Sequence, residues 1–192
     1  MSGTFLRIIL LFAAISTAGG CAAVVVGGAA AGASAAVDRR TTGTLIEDEA
    51  IELKARKAFS ADKEVSDQAH LNVTSYNTVV LVSGEAPTEE LRTRAVELVR
   101  KIQKVSRVHN EVTVAAPSSM MSRSSDSVIT SKVKTKLLGN EDIDGIHVKV
   151  VTENGVVYLM GLLSRAEADR ATEVARLTGG VQKVVKLFEY RD

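Results

Sequence analysis

The sequence predicts an α+β protein that consists of two tandem small domains, each with the element order α-β-β-α-β. Two stretches of the chain match each other at an offset of 76–78 residues. Each stretch has apolar residues at a four-residue spacing, followed by two runs rich in β-branched residues. An Asn-Gly pair separates the second pair of runs, which is typical of a tight hairpin. Because hairpins pair antiparallel and strand–helix–strand connections favour parallel pairing, we expect a three-stranded mixed sheet with two helices on one face in each domain.

The repeat is visible in every element of the predicted domains. The matching segments are His70–Val73 with His147–Val150, Val79–Gly84 with Val156–Gly161, and Val105–Val108 with Val181–Val184, and the last strands are expected at Val108–Val114 and Val184–Tyr190. In the first helix of each copy, one apolar stripe consists of Ile51, Ala55 and Phe59, and the other of Ile129, Val133 and Leu137. One structural unit has therefore been used twice.

Local signals place several element boundaries. Ser125-Asp126 precedes the second apolar stripe and predicts a helix N-cap. Ser164–Glu167 has the pattern of a capping box, and Gly84 and Gly161 are expected to end the second strand of each unit. These signals divide the chain into a first domain at 46–115, a linker at 116–124 and a second domain at 125–192.

The N-terminal region predicts targeting to the cell envelope. Arg7 precedes the apolar run Ile8–Ile15, which is too short to span a bilayer, and small residues then lead to Cys21. This arrangement resembles a bacterial lipoprotein processing site, although Ala18 stands where that pattern usually has Leu. We expect residues 1–20 to be a signal peptide, Cys21 to carry lipid such as palmitate, and 21–45 to be a Gly/Ala-rich tether. The alternatives are a plain secretory signal with an incidental cysteine and an uncleaved anchor.

Composition argues against several functional classes. The 24 basic and 23 acidic residues leave a net charge of +1, whereas nucleic-acid-binding domains are usually strongly basic. A single cysteine excludes an intramolecular disulfide. His70 and His147 occupy equivalent places, which repetition of the fold explains better than a metal site does. No nucleophile has a companion base, so we expect no enzyme, no catalytic residues, no metal and no cofactor.

The repeated pattern resembles the BON domain. The resemblance rests on Val79–Gly84 with Val105 and Val108, and on Val156–Gly161 with Val181 and Val184. Lys104 departs from it, because the family usually has Gly before Val105. Together with the N-terminus, the chain is similar to the two-BON-domain outer-membrane lipoproteins of Gram-negative bacteria. Ala22 after the cysteine, by resemblance to enterobacterial sorting, also indicates the outer membrane.

The resemblance implies a lipid-anchored protein that faces the periplasm, binds anionic phospholipid and supports outer-membrane integrity at cell-division sites. In such proteins the first helix of the second BON domain makes the lipid contact. Here that helix is predicted at Ser127–Leu138, with Arg123 just before it. The relatives carry an aromatic residue at the position of Val128, where an interfacial anchor would be valuable.

The charges of this segment agree with the implied role. The segment Arg123–Leu138 has a net charge of +3, because it contains four basic residues and a single acidic one, Asp126. The basic residues are Arg123, Lys132, Lys134 and Lys136. With the apolar stripe facing the core, a neighbouring face is left for lipid headgroups. The predicted phospholipid-binding residues are Arg123, Val128, Ser131, Lys132, Thr135 and Lys136.

Two alternatives stay open from the residues alone. The lysines can form an ordinary solvated helix face. The same surface can also serve an envelope protein-interaction or chaperone-like module, whose partners would be envelope or division-site proteins. A nucleic-acid partner is not expected.

Overall fold

The computed structural model describes residues 38–191, and these form two copies of one arrangement. The first copy consists of α1 Thr42–Ala61, α2 Lys63–Gln68, β1 His70–Tyr76, β2 Val79–Ala86, α3 Glu89–Arg100 and β3 Arg107–Val114. The second consists of α4 Met120–Leu138, a 3₁₀ turn at Gly145–His147, β4 Lys149–Glu153, β5 Val156–Leu163, α5 Arg165–Arg176 and β6 Lys183–Tyr190. The predicted fold class is confirmed. The predicted signal peptide, Cys21 and most of the tether lie outside the described residues.

Each sheet has the mixed three-stranded topology that the sequence predicts. β2 is the central strand of the first sheet, antiparallel to β1 and parallel to β3. β5 has the same place between antiparallel β4 and parallel β6. The helices α3 and α5 make the two crossovers, because a parallel connection must return along the sheet.

The central strands are buried on both faces. Val80 and Val82 of β2 pack into a core under the helices of the first copy, and Val157 and Leu159 of β5 do the same in the second. The alternate residues of both strands form a third apolar cluster, which contains Tyr76, Val79, Leu81, Tyr158, Met160 and Leu187. Because side chains alternate across a strand, the two sheets pack against each other and the helices lie outside.

The two hairpin turns have the same backbone shape. Asn77 and Thr78 have φ of 53° and 66°, and Asn154 and Gly155 have φ of 48° and 75°. Two consecutive left-handed residues define the turn that suits the twist of paired strands. The Asn-Gly prediction for the second hairpin is therefore confirmed.

Two helices begin earlier than the sequence predicts. Helix α4 begins at Met120 and not after Ser125-Asp126, because Ser119 is its N-cap and its Oγ accepts a hydrogen bond from the Ser122 amide at 3.2 Å. Residues 120–124 of the expected linker are thus helical. Helix α1 begins at Thr42, inside the expected tether, because Thr41 Oγ1 accepts from the Thr44 amide at 3.1 Å.

Gly84 and Gly161 lie inside their strands and do not end them. β2 continues to Ala86 and β5 to Leu163. A Cβ at either glycine would overlap the carbonyl oxygen of His70 or His147 on the neighbouring segment. These glycines therefore allow a close backbone approach within the sheet.

No helix within residues 38–191 is long and apolar enough to cross a membrane.

Candidate functional site

A shallow groove of about 560 Å³ runs along the outer face of α4. It is lined by Ser127, Val128, Ser131, Lys132, Thr135 and Lys136. Five of the six side chains that the sequence predicts for lipid binding thus lie together, and Arg123 does not lie with them. Their binding role stays a prediction.

Helical periodicity explains why this face forms. Ile129, Val133 and Leu137 are buried against the sheet, as the apolar stripe predicts. Positions 128, 131, 132, 135 and 136 recur at spacings of three and four residues, so they form one neighbouring stripe on the exposed surface.

Both serine hydroxyl groups in the groove are turned back toward the helix. Ser127 Oγ donates to the carbonyl of Arg123 at 3.1 Å, and Ser131 Oγ donates to the carbonyl of Ser127 at 2.9 Å. Because the two serine hydroxyl hydrogens are already used, the groove surface is mainly apolar and includes Val128, which is 53% exposed. The groove therefore combines an apolar floor with cationic edges.

The lysines of α4 carry charge that acidic neighbours do not compensate. Within residues 38–191, Lys132 and Lys134 form no ion pair with a carboxylate, whereas Lys104 and Lys186 do. Lys136 Nζ donates to the carbonyl oxygen of Leu177 at 3.2 Å, beyond the end of α5. An uncompensated cationic surface attracts anions, with a strength that salt screens.

A second groove of about 360 Å³ adjoins the first. Its lining includes Val128 and Lys132, which both grooves share, and the loop residues Gly179 and Gly180. Gly180 has φ of 102°, and a Cβ there would lie 3.0 Å from Ile129 Cγ1. The sequence indicates this glycine pair only as a helix stop, but its small size also lets the loop pack closely against α4.

Arg123 faces a different cleft, of about 460 Å³. Its NH1 lies 3.1 Å from His70 Nδ1 in the first copy. The lining of this cleft also includes Asn72, Asp126 and Glu153, so both repeats contribute to it. Sequence reasoning missed this cleft, because its residues are far apart in the chain.

Two carboxylates and a histidine meet beside the Arg123 cleft. Ligand atoms of His70, Glu85 and Glu153 all lie within 4.8 Å of one another. Burial raises the pKa of Glu153, a hydrogen bond from Asn72 opposes that shift, and the charge of Glu85 adds to it. Among residues 38–191, this is a group with the donor atoms that a metal ion would need.

The other histidines have structural surroundings. His147 is buried and its Nε2 lies 3.0 Å from Asp144 Oδ2. Burial lowers the pKa of His109, and Arg107 adds to that shift. Their positions offer no argument for catalysis.

Asp48 and Asp126 are buried acidic residues whose role sequence reasoning missed. Asp126 accepts hydrogen bonds from the Asn154 and Gly155 amides at 2.9 and 2.8 Å. Asp48 accepts from the Asn77 and Thr78 amides, both at 2.8 Å. The signal was present, because the two residues share the repeat offset and each stands three positions before the first residue of its apolar stripe.

Comparison with known proteins identifies the repeated unit. The BON domain family matches residues 47–116 and 125–192. The chain is 37% identical over 155 residues to "Outer membrane lipoprotein DolP" of Haemophilus influenzae, covering 81% of this chain and 80% of the relative. It is 40% identical over 154 residues to "21 kDa hemolysin" of Actinobacillus pleuropneumoniae, covering 80% and 79%. It is 31% identical over 145 residues to "Osmotically-inducible protein Y" of Escherichia coli K12, covering 74% and 72%.

Proposed function

The chain belongs to the BON domain family, and from that premise we propose that it is an outer-membrane lipoprotein that binds anionic phospholipid through the groove on α4. The observation that carries the proposal is the apolar groove between lysines that form no ion pair within residues 38–191. The role is non-enzymatic support of outer-membrane integrity at division sites. The protein would face the periplasm, and the name of the Haemophilus relative supports the outer-membrane placement.

The groove suits the boundary between headgroups and acyl chains. Lys132 and Lys136 would contact lipid phosphates, each contributing roughly 1 kcal/mol near an anionic surface. Val128 lies one helical turn before Lys132 and would enter the outer acyl region, where apolar area adds affinity. The helix would then lie along the membrane surface and not across it.

A lipidated Cys21 would strengthen this weak contact. The anchor and tether would keep the groove near the bilayer, so that the second contact forms at a high effective concentration. That gain would also offset the smaller size of Val128 compared with an aromatic side chain.

Reversal of two charges tests the proposal. We expect Lys132→Glu with Lys136→Glu to abolish binding of residues 38–192 to phosphatidylglycerol vesicles, because loss of two lysine contacts alone lowers affinity about thirtyfold. Residues from Arg39 onward form one compact unit, so this fragment is suitable. Binding is measured by co-sedimentation at low salt, and wild-type binding should weaken as salt rises.

A matched control uses the same helix of the first repeat. Lys54 and Lys57 are exposed on α1, so Lys54→Glu with Lys57→Glu changes the net charge equally. We expect this control to keep most of the binding. Equal loss in both variants would indicate bulk charge attraction and not a site. No wild-type binding at low salt would favour the protein-interaction module.

A further inference from the structure

Three donor side chains from both repeats converge at the junction of the two BON domains. His70 begins β1, Glu85 lies in β2, and Glu153 ends β4. Their ligand atoms lie within 4.8 Å of one another, although the residues are up to 83 positions apart. A histidine with two carboxylates is a donor set that metal sites use.

The buried carboxylate of Glu85 is the main evidence for a bound ion. Its side chain is only 2% exposed, and its Oε2 has no hydrogen-bond partner among the described residues. The other oxygen, Oε1, accepts from Asn154 Nδ2. A buried carboxylate oxygen without a partner is costly, so its presence beside two other donors calls for a cation or a proton.

Glu153 increases this demand for positive charge. It is also buried, and its Oε2 accepts from Asn72 Nδ2 at 2.9 Å and from Ser83 Oγ at 3.4 Å. Within residues 38–191, neither glutamate forms an ion pair with a lysine or arginine, whereas other acidic residues such as Asp48 and Asp62 do. Two buried carboxylates therefore share one neighbourhood, and the nearby guanidinium of Arg123 contacts His70 and forms an ion pair with neither of them.

The cluster has access to solvent through the Arg123 cleft. His70 and Glu153 line that cleft, and Glu85 is buried next to them. A small hydrated cation could therefore approach His70 and Glu153 from solvent, and a donor oxygen of Glu85 lies within 4.8 Å of their donor atoms.

We propose that His70, Glu85 and Glu153 form a binding site for a divalent metal ion, with Zn²⁺ as the best match. Ca²⁺ and Mg²⁺ prefer sets made only of oxygen, whereas Zn²⁺ commonly takes a histidine nitrogen with carboxylates and leaves a fourth position for water. Ligand atoms about 2.0–2.1 Å from a tetrahedral zinc ion lie about 3.4 Å from one another. The donor atoms here lie within 4.8 Å of one another, so each donor–donor distance needs to shorten by about 1.4 Å at most.

Arg123 competes with the metal for His70. A neutral imidazole has one lone pair for bonding, and the contact at 3.1 Å from Arg123 NH1 uses it at Nδ1. A metal bound to Nδ1 takes the place of Arg123 directly. A metal bound to Nε2 leaves the ring proton on Nδ1, and a protonated Nδ1 cannot accept a hydrogen bond from Arg123. In either case the Arg123–His70 hydrogen bond breaks when the metal binds. Removing the guanidinium should therefore tighten metal binding.

The test is calorimetric titration of the full chain in detergent with ZnCl₂ alone. Every sample carries Cys21→Ala, so that no thiol binds the metal. We expect one zinc per chain, and an affinity at least tenfold weaker in His70→Ala, Glu85→Gln and Glu153→Gln. Arg123→Met should bind more tightly than the parent, and His109→Gln should match it. Co²⁺ in place of Zn²⁺ should give the visible absorption of tetrahedral coordination.

Two results would overturn the site. One is the absence of saturable zinc binding to the parent chain, which would mean that the carboxylates share a proton. The other is parent-like zinc affinity in His70→Ala, a variant that we expect to fold because His70 is partly exposed. Circular dichroism of Glu85→Gln separates loss of a ligand from loss of structure. Lipid binding enters none of these measurements, so this proposal stands or fails separately.

Discussion

The two hairpin turns share a shape but differ in one residue type. Thr78 occupies the position that Gly155 has in the second repeat, and both are left-handed. A β-branched residue there is strained by about 1–2 kcal/mol, whereas glycine is not. The Thr78 amide donates to Asp48 Oδ1 at 2.8 Å, and this partly buried hydrogen bond helps to hold the strained conformation.

An exchange of these turn residues should move stability in opposite directions. We expect Thr78→Gly to raise the free energy of unfolding by about 0.5 kcal/mol, because relief of strain exceeds the added freedom of the unfolded chain. Gly155→Thr should lower it by about 1–2 kcal/mol, since its Cβ would also press on Gln182. Urea denaturation measures both. A less stable Thr78→Gly would show that the exposed Thr78–Ser106 hydrogen bond matters more than the strain.

At the scale of elements, Asp126 connects α4 to the β4–β5 hairpin. Its two carboxylate oxygens accept hydrogen bonds from the amides of Asn154 and Gly155. One carboxylate thus satisfies two turn amides that are not used in strand pairing. The same contact positions the helix that carries the candidate groove. Asp48 has the corresponding place between α1 and the first hairpin.

Removal of this carboxylate should cost stability in the second repeat. We expect Asp126→Ala to lower the free energy of unfolding by about 3 kcal/mol, because two amides lose their acceptor. Asp126→Asn keeps one acceptor oxygen and should cost about half as much. Urea denaturation gives the loss, and amide exchange at Asn154 and Gly155 locates it. Unchanged exchange at these amides would show that Asp126 does not hold the turn.

At the scale of the whole molecule, an ion pair joins the start of the described chain to the second repeat. Arg39 donates from NH1 and NH2 to the Glu167 carboxylate at 3.0 and 2.6 Å, and from NH1 to the Leu162 carbonyl at 3.0 Å. Glu167 also completes the capping box with Ser164, which confirms that prediction. The hydrogen bond from Arg39 lowers the pKa of Glu167 to about 2.

This ion pair predicts a particular dependence of stability on pH. Because the pKa of Glu167 is lower in the folded protein, its contribution is present above the unfolded value of about 4.5 and is lost as pH falls toward 2. We expect Glu167→Gln to lower the free energy of unfolding by about 1 kcal/mol at pH 7, a small value because solvent screens this partly exposed pair. Near pH 2 the substitution should have almost no effect on the free energy of unfolding. Unfolding measured from pH 7 to pH 2 tests this.

Glu173→Gln is the matched control on the same helix. Its partner Arg176 is exposed and lies one turn away, so we expect no measurable change in stability at any pH. A constant difference between Glu167→Gln and wild type from pH 7 to pH 2 would contradict the role of ionised Glu167.

Features that depend on nearby residues could be predicted from the sequence. The Asn154-Gly155 hairpin, the Ser164 capping box and the two apolar helix stripes each depend on residues within a few positions of one another. Five groove residues were also within reach, because Val128, Ser131, Lys132, Thr135 and Lys136 follow a single helical period on one element. By itself the sequence thus determined the repeat, the order of its main helices and strands and the cationic face of α4, but not α2 or the 3₁₀ turn.

Other features depend on how distant segments pack, and only the tertiary structure decided them. Arg123 leaves the groove because His70, in the other repeat, offers a ring nitrogen. β2 and β5 are buried on both faces because the two sheets cover each other. The cluster of His70, Glu85 and Glu153 forms because that same sheet packing brings three separated segments together. Local chemistry specifies elements, but contacts between elements depend on the full three-dimensional arrangement.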